Sequence, residues 1–224
     1  MNKKLFFIYR LLIVLSLLIG IVLNLINTTS IKKILSYYTM QSNILCLITF
    51  IIFIINDISG TEYKKSNTYF IIKGAITITI LLTLSVYLMS LVPNNLPMYE
   101  KSGICLNKKK IANLFVHIIS PILVIMDYFL FDEKGYFKLY YPIIWLFLPI
   151  LYLQYVYIYN AIGGSFYNLG GSNEFGYFFL DYKKIGVINV VGWIISLSLF
   201  VLLISYLLIY IDKKRSKQKR YRKV

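Results

Sequence analysis

Residues 111–131 read IANLFVHIISPILVIMDYFLF. At 1.5 Å per residue a helix of this length reaches about 31 Å, the thickness of a bilayer's hydrocarbon core. The stretch is mostly apolar, so it reads as a membrane span. His117, the chain's single histidine, then lies where no bulk water solvates an imidazole. It must face protein and find a partner, which makes it a candidate functional residue. A histidine that only hydrogen-bonds a neighbouring helix is the plainer alternative.

Five further stretches have the same character: roughly 5–26, 37–55, 69–92, 140–160 and 185–210. The whole chain is 58% hydrophobic, with 15% charged residues and a mean hydropathy of +0.70. Soluble domains carry nearer a quarter charged residues. The expected fold is an all-α integral membrane bundle of six transmembrane helices, spanning 1–211 and followed by a basic tail at 212–224. The first stretch is too long for a signal peptide, and 24–30 offers no small-residue cleavage site. Cys46 in a span and Cys105 in a loop form neither a disulfide framework nor a metal-ligand spacing. With one histidine, no zinc site of ordinary ligation is expected, and no organic cofactor is implied.

Charge sets the expected orientation. Of 24 Lys and Arg, fourteen lie on the side shared by both termini and the loops 56–68 and 132–139. Eight lie opposite, and Arg10 and Lys73 fall inside spans. Basic segments stay in the cytoplasm, so both termini are expected there, in a plasma membrane. The net charge of +15 is concentrated in the tail. Directly after a span, such a tail reads as a topology determinant against anionic lipid rather than as a nucleic-acid site. The richness in Ile, Lys, Asn and Tyr is that of AT-rich bacterial genomes.

Two polar stripes stand out. Thr39, Ser42, Asn43, Cys46 and Thr49 recur at steps of three and four on the second span, hence on one helical face. Asn113, His117, Ser120 and Asp127 do the same on the fourth. In the expected topology both spans start at the outer side, with Thr39 about 3 Å and His117 about 9 Å into the membrane. The hydroxyl and the imidazole can therefore meet. A neutral imidazole within hydrogen-bond reach can take the proton of a hydroxyl as it attacks an ester carbonyl. Gln41, Ser42 and Asn43, or free N–H groups at a helix start, are candidate supports and oxyanion donors. Asp181 is a candidate to orient the ring. The alternatives are that Thr39 caps its helix and that Ser42 and Asn43 bond between helices.

The stretch Tyr38-Thr-Met-Gln-Ser-Asn43, with His117-Ile-Ile-Ser-Pro121 through Asp127, resembles the androgen-induced membrane hydrolase family and its bacterial relatives. The proline-bearing stretch Trp145-Leu-Phe-Leu-Pro149-Ile-Leu-Tyr152, and Phe178-Phe-Leu-Asp181 before Gly186, are further points of similarity. Members cleave fatty acid esters of hydroxy fatty acids with an intramembrane threonine and histidine. By position, the resemblance implies Thr39 as nucleophile and His117 as general base. The expected partners are membrane lipids and a lipophilic ester substrate; oligomeric state is open.

Arg10, Lys73 and Asp127 belong near the cytoplasmic ends of their helices, and an ion pair of Asp127 with Arg10 or Lys73 is expected. Asp127 lies about 15 Å along the axis from His117, too far for a catalytic pair. A carrier using His117 and Asp127 as relay sites is the rival function. The loop 161–176, with five glycines, lacks the strand-to-helix context of a phosphate loop; it is a candidate lid. Trp145, Tyr152 and Tyr155 either line a tunnel or pack in the core.

Overall fold

A computed structural model describes residues 3–60, 66–91, 108–167 and 173–221. Cys105, most of the loop 93–110, residues 168–172 of the candidate lid and the last three residues of the tail lie outside them. Six helices among the described residues are long and apolar enough to cross a membrane. They are α1 (Lys4–Ile26), α2 (Tyr38–Ile58), α3 (Asn67–Met89), α4 (Lys110–Phe131), α5 (Tyr141–Ala161) and α6 (Val187–Ser216). The fold is the all-α multi-pass bundle that the hydropathy pattern implies. On α1, Phe6, Arg10, Ile13, Leu17 and Ile21 are buried, while Leu5, Ile8, Leu12 and Leu15 are exposed. The exposed face is apolar too, as a helix between protein and lipid requires.

Two boundaries differ from the hydropathy reading. α5 is two pieces, Tyr141–Trp145 and Phe147–Ala161, joined at Leu146. Pro149 has no N–H for the Trp145 carbonyl, so the ladder breaks at that turn. The last helix runs unbroken over Val187–Tyr221, well past 210. Asp212 explains the extension. It is buried and accepts hydrogen bonds from the Tyr128 hydroxyl at 2.6 Å and the Phe137 N–H at 3.1 Å. The stretch expected to begin a separate tail therefore starts as a continuation of α6.

Contacts at the two ends of the bundle show how the helices alternate. At one end the first turns of α1 and α3 meet the last turns of α2 and α4. Arg10 bonds Asp57 at 2.8 Å and the Tyr69 hydroxyl at 3.1 Å, and lies 3.7 Å from Asp127. Lys73 pairs with Asp127 and stands 3.2 Å from Asp132, which also accepts from Tyr69. Arg10, Lys73 and Asp127 are wholly buried. Phe6 and Phe53 present their ring faces to the Arg10 guanidinium at 4.2 and 5.0 Å, which offsets part of the lost hydration. Asp127 thus meets Arg10 as well as Lys73, where a pair with one of them was expected, and Asp57 and Asp132 join the cluster.

α5 locks on through Trp145, which is fully buried and donates its indole N–H to the Ile71 carbonyl at 2.9 Å. Its ring occupies the space above Gly74, where a Cβ would lie 2.0 Å from Cζ2. Only glycine permits that approach.

Asp127→Ala removes the buried carboxylate nearest Lys73, leaving Arg10 with Asp57 and Lys73 with Asp132, and should lose about 3 kcal/mol, while Lys73→Met with Asp127→Leu should lose much less. Gly74→Ala should cost about 1–3 kcal/mol by overpacking. Gly192, with nothing within 4 Å of a built Cβ, should gain about 0.5–1 kcal/mol as Gly192→Ala. Denaturant unfolding in detergent reads all four.

Candidate functional site

The other end of the bundle is built from an irregularity in α4. Pro121 follows closely on His117, and residues Phe115–Ile119 form a π-turn. Ser120 N–H bonds back to the Phe115 carbonyl, five residues away. In that register the next bond would run from residue 121 to Val116, and proline has no N–H. The orphaned Val116 carbonyl is taken by Asn43 of α2, whose Nδ2 donates to it at 3.0 Å and to the Thr39 carbonyl at 2.7 Å. One side-chain amide therefore ties the turn that carries Thr39 to the residue beside His117. α1 closes from behind, since a Cβ on Gly20 would meet Val116 Cγ1 at 2.8 Å.

Thr39 is not the cap of its helix. That position belongs to Tyr37, which is extended and makes no side-chain cap, so N–H groups of the first turn of α2 lack intrahelical partners. The chain just before α2 is pinned by α5: Tyr152 donates to the Ser36 carbonyl at 3.2 Å and Tyr155 to the Ser36 hydroxyl at 2.9 Å. The Tyr177 hydroxyl reaches the side chain and backbone of Thr39 and the backbone of Tyr38. Burial pushes the Tyr177 phenol up to about 12, and the hydrogen bonding from Thr39 and Tyr38 pulls the other way. It stays protonated at neutral pH and is available as a donor.

His117 is buried, and its Nδ1 has no hydrogen-bond partner. The ring is held by stacking: Tyr87, at the start of a π-turn in α3, lies 4.3 Å from it between centroids at 14°.

Thr39, His117 and Tyr177 form a shared wall between two cavities. One, of about 100 Å³, is apolar and runs between α3, α5 and α6, with Leu82, Val86, Pro149, Leu153, Leu197 and Val201 among its walls. The other, of about 240 Å³, is the more polar of the two and sits at the end of the bundle, where Asn24, Asn27, Thr28, Thr29, Asn113 and Tyr167 line it together with the apolar Ile34, Met40, Ala112 and Val116. Chemically, the wall offers a hydroxyl, an imidazole and a phenol between an apolar cavity and a more polar one.

The remaining candidates are placed elsewhere. Gln41 donates to the Leu35 carbonyl at 3.3 Å, and Ser42 bonds Thr83 across to α3 at 2.9 Å. Neither lines a cavity, and Asn43 is the interhelical tie. Asp181 caps the short helix Tyr182–Ile185, accepting from Lys184 N–H at 3.2 Å. It lines neither cavity, and with His117 Nδ1 unpartnered it does not orient the ring there. Asp127 is held in the charge cluster at the far end and shares no cavity with His117. Among the expected tunnel aromatics, Tyr152 lines the apolar cavity and Trp145 is core. The described part of the 161–176 loop is tethered. Tyr37 donates to the Tyr167 carbonyl at 2.8 Å, and the Tyr167 hydroxyl bonds Thr28 at 2.7 Å.

Sequence reasoning missed Tyr177 and Tyr87, and it offered interhelical bonding as an alternative for Asn43 without naming the carbonyl that Asn43 takes. Pro121, five residues after Val116, was the readable signal for the last. Tyr177 stands next to the quoted 178–181 stretch, but among 21 tyrosines nothing singled it out.

A comparison of the chain with protein-family models, curated proteins and solved structures finds no match. Fold and site together define a class: a multi-pass helical membrane protein whose polar wall divides an apolar chamber from a hydrogen-bonding one.

Asn43→Leu should cost about 1–3 kcal/mol, because it leaves the buried Val116 carbonyl unpaired. Ser42→Ala, which leaves Thr83 still able to donate to the Thr79 carbonyl, should cost less than about 1 kcal/mol. Thermal unfolding of both variants in detergent compares them.

Proposed function

We propose that the protein is an intramembrane hydrolase of lipophilic fatty-acyl esters, with Thr39 as nucleophile and His117 as general base. The observation that carries this reading is the shared wall: Thr39 and His117 line both an apolar and a polar cavity. An acyl chain needs the first, and a departing alcohol and an incoming water need the second. The resemblance of residues 38–43 and 117–127 to the androgen-induced membrane hydrolases assigns the same two side chains.

The chemistry balances on these groups. His117 takes the Thr39 hydroxyl proton as its oxygen attacks the ester carbonyl carbon. The Tyr177 hydroxyl, which already reaches Thr39, is the donor for the resulting oxyanion. Collapse breaks the bond to the alcohol oxygen, and the alcohol leaves with the proton held by His117. Water then attacks the acyl-threonine, giving its proton to His117, and release of the fatty acid returns that proton to Thr39.

The excess of Lys and Arg on the terminal side supports cytoplasmic termini, and with them a site toward the outer leaflet of a plasma membrane, and the composition supports a bacterial one. The ester reaches the apolar cavity sideways from lipid.

The test is hydrolysis of fatty-acyl esters by purified protein in lipid nanodiscs. Thr39→Ala should abolish turnover and any acyl adduct mapped to residue 39. His117→Gln should lower kcat/KM by about 10²–10⁴-fold, the range of general acid–base catalysis. Full turnover by Thr39→Ala would overturn the assignment.

A further inference from the structure

We propose that the polar cavity is a headgroup subsite for an uncharged, hydroxyl-bearing alcohol, so that the preferred substrate is a fatty-acyl ester of a glycerol-like polyol. This rests on the hydrolase reading of Thr39 and His117 and narrows it to a substrate class. Of the residues lining the cavity, Asn24, Asn27, Thr28, Thr29, Asn113 and Tyr167 present neutral hydrogen-bonding groups. None of the described lining residues is Asp, Glu, Lys or Arg. Lys33, the kind of residue that would draw an anion in, has its Nζ over the Tyr167 ring, 5.5 Å from the centroid, and does not line the cavity.

Asn24 donates one amide N–H to the Gly20 carbonyl at 2.9 Å, and Asn27 donates one to the Leu23 carbonyl at 2.7 Å. Each keeps a second N–H and a carboxamide oxygen for a ligand. A hydroxyl, which also donates and accepts, suits such groups. An anion moved among them loses hydration, and none of the described lining residues supplies a counter-charge. A polyol exchanges water hydrogen bonds for these at little cost. Because Thr39, His117 and Tyr177 are common to both cavities, an ester carbonyl at that wall puts its acyl chain in the apolar cavity and its alcohol among the asparagines.

The experiment uses the full-length protein in nanodiscs and three esters of one fatty acid: the glyceryl monoester, the methyl ester and the phosphoglyceryl monoester. The glyceryl ester should show a kcat/KM about tenfold or more above the other two. Asn27→Leu and Asn113→Leu should each cut the glyceryl-over-methyl ratio by about 3–10-fold, the effect of one neutral hydrogen bond. Because the readout is a ratio within one variant, partial loss of folded protein cancels. Equal kcat/KM for the glyceryl and methyl esters would mean a chamber that admits only water, and would overturn the subsite. So would a ratio unmoved by both variants, or a preference for the phosphoglyceryl ester. Thr39-independent turnover, or no turnover of any of the three, removes the hydrolase reading and the subsite with it.

Discussion

A backbone carbonyl inside a bilayer has no water to turn to, and each one left unpaired costs several kcal/mol. Pro121 creates such a carbonyl at Val116, and Asn43 satisfies it from another helix. The rest of the site follows from that pairing. α2 and α4 cannot slide or rotate against each other without breaking the bond, so the turn bearing Thr39 and the turn bearing His117 are fixed in register. The π-turn also widens α4 locally and swings the imidazole toward the Tyr87 ring, which stacks on it. A polar side chain acting as interhelical glue therefore positions the residues around it without touching either cavity.

The bundle concentrates its polarity at two poles. At one pole Arg10 and Lys73 are paired with Asp57, Asp127 and Asp132, two cations held against three carboxylates. At the other pole the groups are neutral and open onto cavities. Between them lie about 18 residues of α2, from Thr39 to Asp57, or about 27 Å. Such separation suits chemistry carried out by neutral groups. Rings rather than charges hold the imidazole.

What was legible in the sequence was what repetition encodes. Six long apolar runs specify six helices, because only a helix satisfies its own backbone in lipid. Steps of three and four put Thr39 and Asn43 on one face, and a charge in a span demands a partner, which gave the pairing of Asp127. What escaped was set by single atoms. The missing N–H of Pro149 divides α5, and Asp212 carries α6 past the end of its apolar run. Gln41 and Asp181 carry the right functional groups for a site, yet they bond to local backbone, and composition cannot tell the two uses apart. Tyr177 comes from a loop, with no periodicity to place it, and its approach to Thr39 depends on the tertiary path.

The buried cluster at the charged pole bears on how the chain enters the membrane. Arg10 on α1 finds Asp57 as soon as α2 has emerged, but the partners of Lys73 on α3 lie on α4 and just beyond it. A lone ammonium within a span opposes translocon release, by about 2.5–3.5 kcal/mol at a helix centre and by less at the depth of Lys73. α3 is thus a poor passenger by itself and is expected to wait at the insertion machinery until α4 arrives, the two leaving sideways as a hairpin already neutralised. The order of biogenesis is written into which helix holds the counter-ion.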